Sequence, residues 1–127
     1  MLSDFALSAT KATVAQCSDD VGAFQLDTSA TTITPNPLEK GTTCAFGLRG
    51  VVTETINVNN LHVHVDWNQS PLYDEDHSQD NTYTSEYSYD LNWEVPGFAP
   101  DGHYDILFTA TDANQKTNLC VKAQFDF

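Results

Sequence analysis

The 127-residue sequence predicts an all-β fold, an antiparallel β-sandwich of about seven short strands. Three observations carry this. Tyr87, Tyr89, Leu91, Trp93 and Val95 alternate with Ser88, Asp90, Asn92 and Glu94, so a strand here has one apolar, aromatic face and one wet face. Leu119, Val121, Ala123, Phe125 and Phe127 repeat the alternation. Turn chemistry separates such runs along the whole chain, and no stretch shows convincing helical periodicity.

The elements follow in order. Residues 1–12 are weakly patterned and read as an N-terminal arm, leaving 13–127 as a single domain without internal repeat or linker. A first strand covers 13–17, and Asp19-Asp20-Val-Gly is a turn. Residues 24–34, rich in Thr, suit one kinked strand, which Pro35-Asn-Pro37 ends because proline donates no ladder hydrogen bond. Gly41 opens a long strand over 42–58. Gly47 and Gly50 inside it mark a bulge or a close backbone approach. Asn59-Asn60 makes a tight turn. Leu61, Val63, Val65 and Trp67 then point inward, with His62, His64 and Asp66 outward. Residues 68–82 read as a polar, acidic loop. Three strands close the domain, two of them joined at a Pro/Gly corner over 96–102.

The formal charge of −13 and pI near 4.2 exclude nucleic acid as a partner, since a binder must neutralise phosphates with clustered cations. Lys11, Lys40, Arg49, Lys116 and Lys122 are scattered, so a basic patch for anionic headgroups is missing too. No stretch is long and apolar enough to span a bilayer, and stable membrane insertion is not expected. Met1-Leu-Ser-Asp-Phe lacks the basic and apolar regions of an intact signal peptide. Either the chain is already processed, or it is intracellular. Cys17 and Cys120 lie near the two ends of the domain, so a bridge between them would close nearly the whole chain. Cys44 shares parity with Phe46 and Leu48, which makes it a buried free thiol, with an intermolecular disulfide as the alternative.

Candidate chemistry is sparse. His62, His64 and Asp66 form one row and are zinc- or copper-ligand types, but the sequence places no third imidazole or thiolate beside them. A solvated strand face is the expectation, and no metal ligand is assigned. Asp74, Glu75, Asp76 and Asp80 offer oxygens to calcium yet follow no EF-hand spacing, so they read as a solvated loop. There is no nucleophile elbow, phosphate loop or cysteine in an electropositive setting. The chain is not expected to be an enzyme or to carry a cofactor. Asn68-Gln-Ser70 fits a glycosylation acceptor, although Pro71 follows directly. What stands out is the number of inward Tyr and Trp residues, whose polar tips want partners when buried. Tyr87, Tyr89, Trp93 and Tyr104 suit a partly hollow interior.

Trp93-Glu-Val-Pro-Gly-Phe-Ala-Pro-Asp-Gly-His-Tyr-Asp, then Asp112-Ala-Asn-Gln and Leu119-Cys120, resembles the carboxyl half of ML (MD-2-related lipid-recognition) domains. That family includes Niemann–Pick C2-like proteins and phosphatidylglycerol/phosphatidylinositol transfer proteins. Pro35-Asn-Pro-Leu-Glu-Lys-Gly41 is similar to the segment before that family's third strand, and the likeness runs over about 15–127. The resemblance implies an immunoglobulin-like sandwich, secreted or in the lumen of an endomembrane or lysosome-like compartment, holding a lipid between its sheets. It implies a Cys17–Cys120 bridge and a pocket mouth at Pro96, Phe98 and Pro100. The family's further bridges have no cysteines here: residues 70–82 contain none, and Cys44 lacks a hairpin partner.

The expected function is therefore binding or transfer of a sterol or phospholipid, without chemistry. The expected lining is Val63, Val65, Tyr87, Tyr89, Leu91, Trp93, Pro96, Phe98, Pro100, Ile106, Phe108 and Val121. The alternative is a structural or adhesion subunit with a filled core, contacting a protein partner through the arm or Cys44.

Overall fold

The computed structural model describes residues 11–17 and 22–127, and these are all-β, with no helix among them. The expected arm and the Asp19-Asp20 turn lie largely or wholly outside the described residues. Among the described residues, nine strands form two antiparallel sheets: β1 (Thr13–Gln16), β2 (Phe24–Leu26), β3 (Thr32–Thr34), β4 (Thr43–Val52), β5 (Ile56–Trp67), β6 (Ser70–Tyr83), β7 (Glu86–Glu94), β8 (His103–Thr111) and β9 (Thr117–Asp126). One sheet has the order β1-β9-β8-β5-β6. In the other, β4 pairs with β7 along one edge and with β2 and then β3 along the opposite edge.

Four local readings change. The single kinked strand over 24–34 is two strands, because Asp27 folds the chain between them. Its Oδ1 accepts from the Ser29 and Ala30 N–H groups at 3.0 and 3.1 Å. The long strand over 42–58 is cut at 53–55 and continues as β5 in the other sheet. Gly50 nevertheless meets the expectation of a close approach: a Cβ there would lie 2.5 Å from the Gln25 carbonyl oxygen and 2.7 Å from the Phe24 ring. Asn59-Asn60 is not a turn; both residues lie inside β5, where pairing with β6 shifts register between Val58 and Asn60. The acidic stretch is not a loop. Only Asn68 and Gln69 turn, at φ of 48° and 70°, and β6 follows as an edge strand. It lacks an apolar face because it has no fully buried one, and its acids suit an edge that must not pair with another chain.

The core lies between the sheets. Phe46 of β4 meets Phe108 of β8 edge-on at 5.4 Å, so the middle of the sandwich is closed by direct contact. Cys44 is fully buried there, and desolvation pushes its thiol pKa up to about 11. A sulfur so covered cannot meet a second chain's thiol unless the sheet opens.

Candidate functional site

The two margins of the sandwich are built differently. On one, Gln16 of β1 crosses to β2, where its Nε2 donates to the Phe24 carbonyl (2.9 Å) and its Oε1 accepts from the Leu26 N–H (2.8 Å). The Cys17–Cys120 disulfide, with its Cα atoms 5.4 Å apart, fixes β1 on β9 just beyond. That margin is closed. On the opposite one run the edge strands β6 and β7, and a groove of ≈ 580 Å³ opens between their ends.

Every wall of the groove comes from a different element. Leu72, Tyr73 and Glu75 come from β6, Asn92, Trp93 and Glu94 from β7, and Thr43 from β4. The corner after β7 supplies Pro96, Phe98, Ala99 and Pro100, and Tyr104 of β8 lies beneath. Trp93 approaches Phe125 at 6.2 Å, and Phe125 stacks on Tyr104 at 5.1 Å, so rings from both sheets meet at the groove's inner end.

The corner is fixed backbone. The Ala99 N–H donates to the Pro96 carbonyl (3.1 Å), the Trp67 Nε1–H to the Asp101 carbonyl (3.0 Å), and Gly102 and Phe127 exchange two backbone bonds (3.1 and 2.9 Å). Gly102 sits at φ 147°, and a Cβ there would come within 2.6 Å of Trp67 Nε1, so this turn accepts only glycine without strain. Lys40 pairs with Asp101 and lies 5.5 Å over the Phe127 ring. On this held corner Phe98 stands 88% exposed.

Of the residues expected to meet a lipid, Trp93, Pro96, Phe98 and Pro100 line the groove. Val63, Val65, Tyr87, Leu91, Ile106, Phe108 and Val121 are buried in the core, and Tyr89 packs against it partly buried. The Tyr87 hydroxyl is buried without a hydrogen-bond partner among the described residues, and desolvation holds its pKa far above the usual tyrosine value. Sequence reasoning missed Leu72 and Tyr73. The sequence held one signal, two adjacent apolar side chains in an otherwise polar run; the structure leaves them 47% and 42% exposed.

A second group of side chains lies on the outer face of the β5–β6 pair. His62 stands opposite Asp76 and His64 opposite Asp74. His62 Nδ1 is 2.7 Å from Asp76 Oδ1, and its Nε2 is 2.9 Å from Asp74 Oδ1. His64 Nδ1 is 2.6 Å from that same Asp74 oxygen, and its Nε2 is 2.7 Å from Asp66 Oδ1. The Asp76 contact raises the His62 pKa and the Asp74 contact raises that of His64, while His64 and then His62 lower that of Asp74. Asp74 and Asp76 thus face imidazoles across the strand pair.

A family model described as ML domain matches residues 11–127. A search of curated proteins found no match. Among solved structures, the Niemann-Pick type C2 protein from Japanese carpenter ant aligns with a TM-score of 0.56 and 13% identity, over 87% of this chain and 95% of that one. Chicken MD-1 complexed with lipid IVa aligns with a TM-score of 0.50 and 14% identity, over 94% and 96%. At these identities the structural likeness speaks for the fold.

Proposed function

The chain belongs to the ML domain family, and from that premise we propose that it is a lipid-binding protein. Its groove between β6 and β7 takes the apolar part of a sterol or phospholipid, and the protein carries that lipid between compartments or membranes without altering it. The observation that carries this is the ≈ 580 Å³ groove, walled by Leu72, Trp93, Pro96, Phe98 and Tyr104. Small-molecule sites fall at about 300–1,000 Å³ and are mostly apolar with a few polar groups that set orientation. Burial contributes about 25 cal/mol per Å² of apolar surface, so even half an acyl chain or sterol ring system provides a useful driving force. Glu75, Asn92, Glu94 and Thr43 supply the polar contacts at the mouth. The lipid IVa held by chicken MD-1 supports this reading by analogy of fold. The Cys17–Cys120 bridge supports a secreted or luminal setting, where disulfides persist.

A structural or adhesion module would have its interior filled throughout. The Phe46–Phe108 contact fills the middle, but the open groove at the end favours the lipid. Purified protein is stripped of lipid and titrated with a fluorescent sterol and a fluorescent phospholipid, beside native mass spectrometry of unstripped protein. Saturable uptake of either probe at one per chain is expected. No uptake of both, with no co-purifying lipid, overturns the reading.

A further inference from the structure

We propose that His62, His64 and Asp74 form a binding site for a divalent transition-metal ion of the zinc class on the outer face of the β5–β6 pair. The lipid groove does not use this site, and its occupancy does not depend on that reading. His62 and His64 are two residues apart on one strand, so both imidazoles project from the same face. Asp74 enters from β6, in register with His64. One ligand atom from each residue lies within 4.8 Å of the other two. Ligands of a tetrahedral zinc ion, at about 2.0–2.2 Å from it, sit roughly 3.4 Å from one another. Asp74 Oδ1 is 2.9 Å from His62 Nε2 and 2.6 Å from His64 Nδ1, so it already stands against both imidazoles, and each of these pairs opens by less than about 1 Å to reach the spacing of zinc ligands.

The remaining ring nitrogens make the case specific. His62 Nδ1 faces Asp76, which Asn60 Nδ2 holds at 2.9 Å, and His64 Nε2 faces Asp66. A carboxylate on the far nitrogen fixes the tautomer of a metal-binding imidazole and raises its basicity, and both rings have one. With the ring protons on those outer nitrogens, the inner nitrogens and Asp74 Oδ1 are three lone-pair groups aimed at each other. A cation between them takes the place of the proton that bridges each inner nitrogen to Asp74 in its absence. Two imidazoles with one carboxylate suit zinc, copper or nickel, whereas magnesium and calcium prefer oxygen throughout. Three protein ligands leave a fourth position for water. An ion here also ties the edge strand β6 to β5, next to Tyr73 and Glu75 in the groove wall.

The test is calorimetric titration of EDTA-treated, dialysed protein with zinc chloride, with magnesium chloride as control. One zinc per chain is expected, with no saturable magnesium. His62→Ala and His64→Ala should each weaken zinc binding at least about tenfold, and Asp76→Asn, which removes an outer carboxylate, about 10- to 100-fold. His103→Gln, in a separate histidine–carboxylate pair, should leave it unchanged. Circular dichroism checks the fold of each variant, and if one histidine variant fails to fold, the other and Asp74→Asn carry the test. Absence of stoichiometric zinc binding, or zinc binding that survives loss of both His62 and His64, overturns the proposal.

Discussion

The Tyr104 hydroxyl donates to the Pro100 carbonyl at 2.6 Å, so one buried side chain both underlies the groove and pins its rim. Replacing it with phenylalanine keeps the ring, its stacking on Phe125 and the packing. It removes one hydrogen bond and leaves the carbonyl short of a partner. Tyr104→Phe should therefore lower unfolding stability by about 1 kcal/mol, read from urea midpoints, and weaken lipid uptake several-fold as the corner loosens. Unchanged uptake would mean that the rim is held by its other bonds alone.

Phe98 gives the opposite separation. At 88% exposure it contributes little to folding, and on the proposed function an aromatic ring held out to water on a fixed corner is the side chain expected to touch a lipid first. Phe98→Asp should leave stability within about 0.5 kcal/mol, as for most surface changes. The rate of phospholipid uptake from vesicles should fall markedly, measured by dequenching of a labelled lipid.

The Cys17–Cys120 bridge closes a sequence separation of 103 residues. The chain-entropy model assigns such a loop about 4–5 kcal/mol of stabilisation. The double serine variant should lose stability of that order, seen as an earlier denaturant midpoint.

His103 sets a pH dependence. Its Nδ1 lies 2.7 Å from Asp126 and its Nε2 3.3 Å from Asp105, and these contacts, led by Asp126, raise its pKa above 6.5. The folded state therefore binds the proton more tightly than the unfolded chain. The stabilisation is complete below about pH 6.5 and is lost as pH rises through the folded value. Because the pair is partly exposed, its worth is at most about 1 kcal/mol. Wild type should exceed His103→Gln in urea midpoint at pH 5.5, and the gap should shrink by pH 8.

How much was legible depended on burial. β7 and β9 announce themselves because each has a buried face, carried by Tyr87 and Leu91 in one and by Val121, Ala123 and Phe125 in the other. β6 does not, because an edge strand with no fully buried face has no apolar period to read. With it went Leu72 and Tyr73 from the groove, and Asp74 from the histidine row. The cut between β4 and β5 was hidden for a different reason. Thr53, Glu54 and Thr55 carry no proline or glycine, so a change of sheet looked like a continuous strand. Groove and core lining could not be separated, since Trp93 and Leu91 share a parity, yet Trp93 lines the groove and Leu91 is buried in the core.

Gln16 spans the sheets at one margin, and among the described residues no such side-chain bridge closes the groove at the other. The molecule is thus bound like a book along a single spine, with β1 as the thread and Cys17–Cys120 as the knot that keeps it in place. A book so bound opens only at its fore-edge. Breathing of the sheets is expected to widen the groove end of the β6–β7 side while the spine keeps the pages in register. The protein then has a front and a back, and on the proposed lipid-binding reading a membrane or a partner that hands over a lipid is expected to face Phe98.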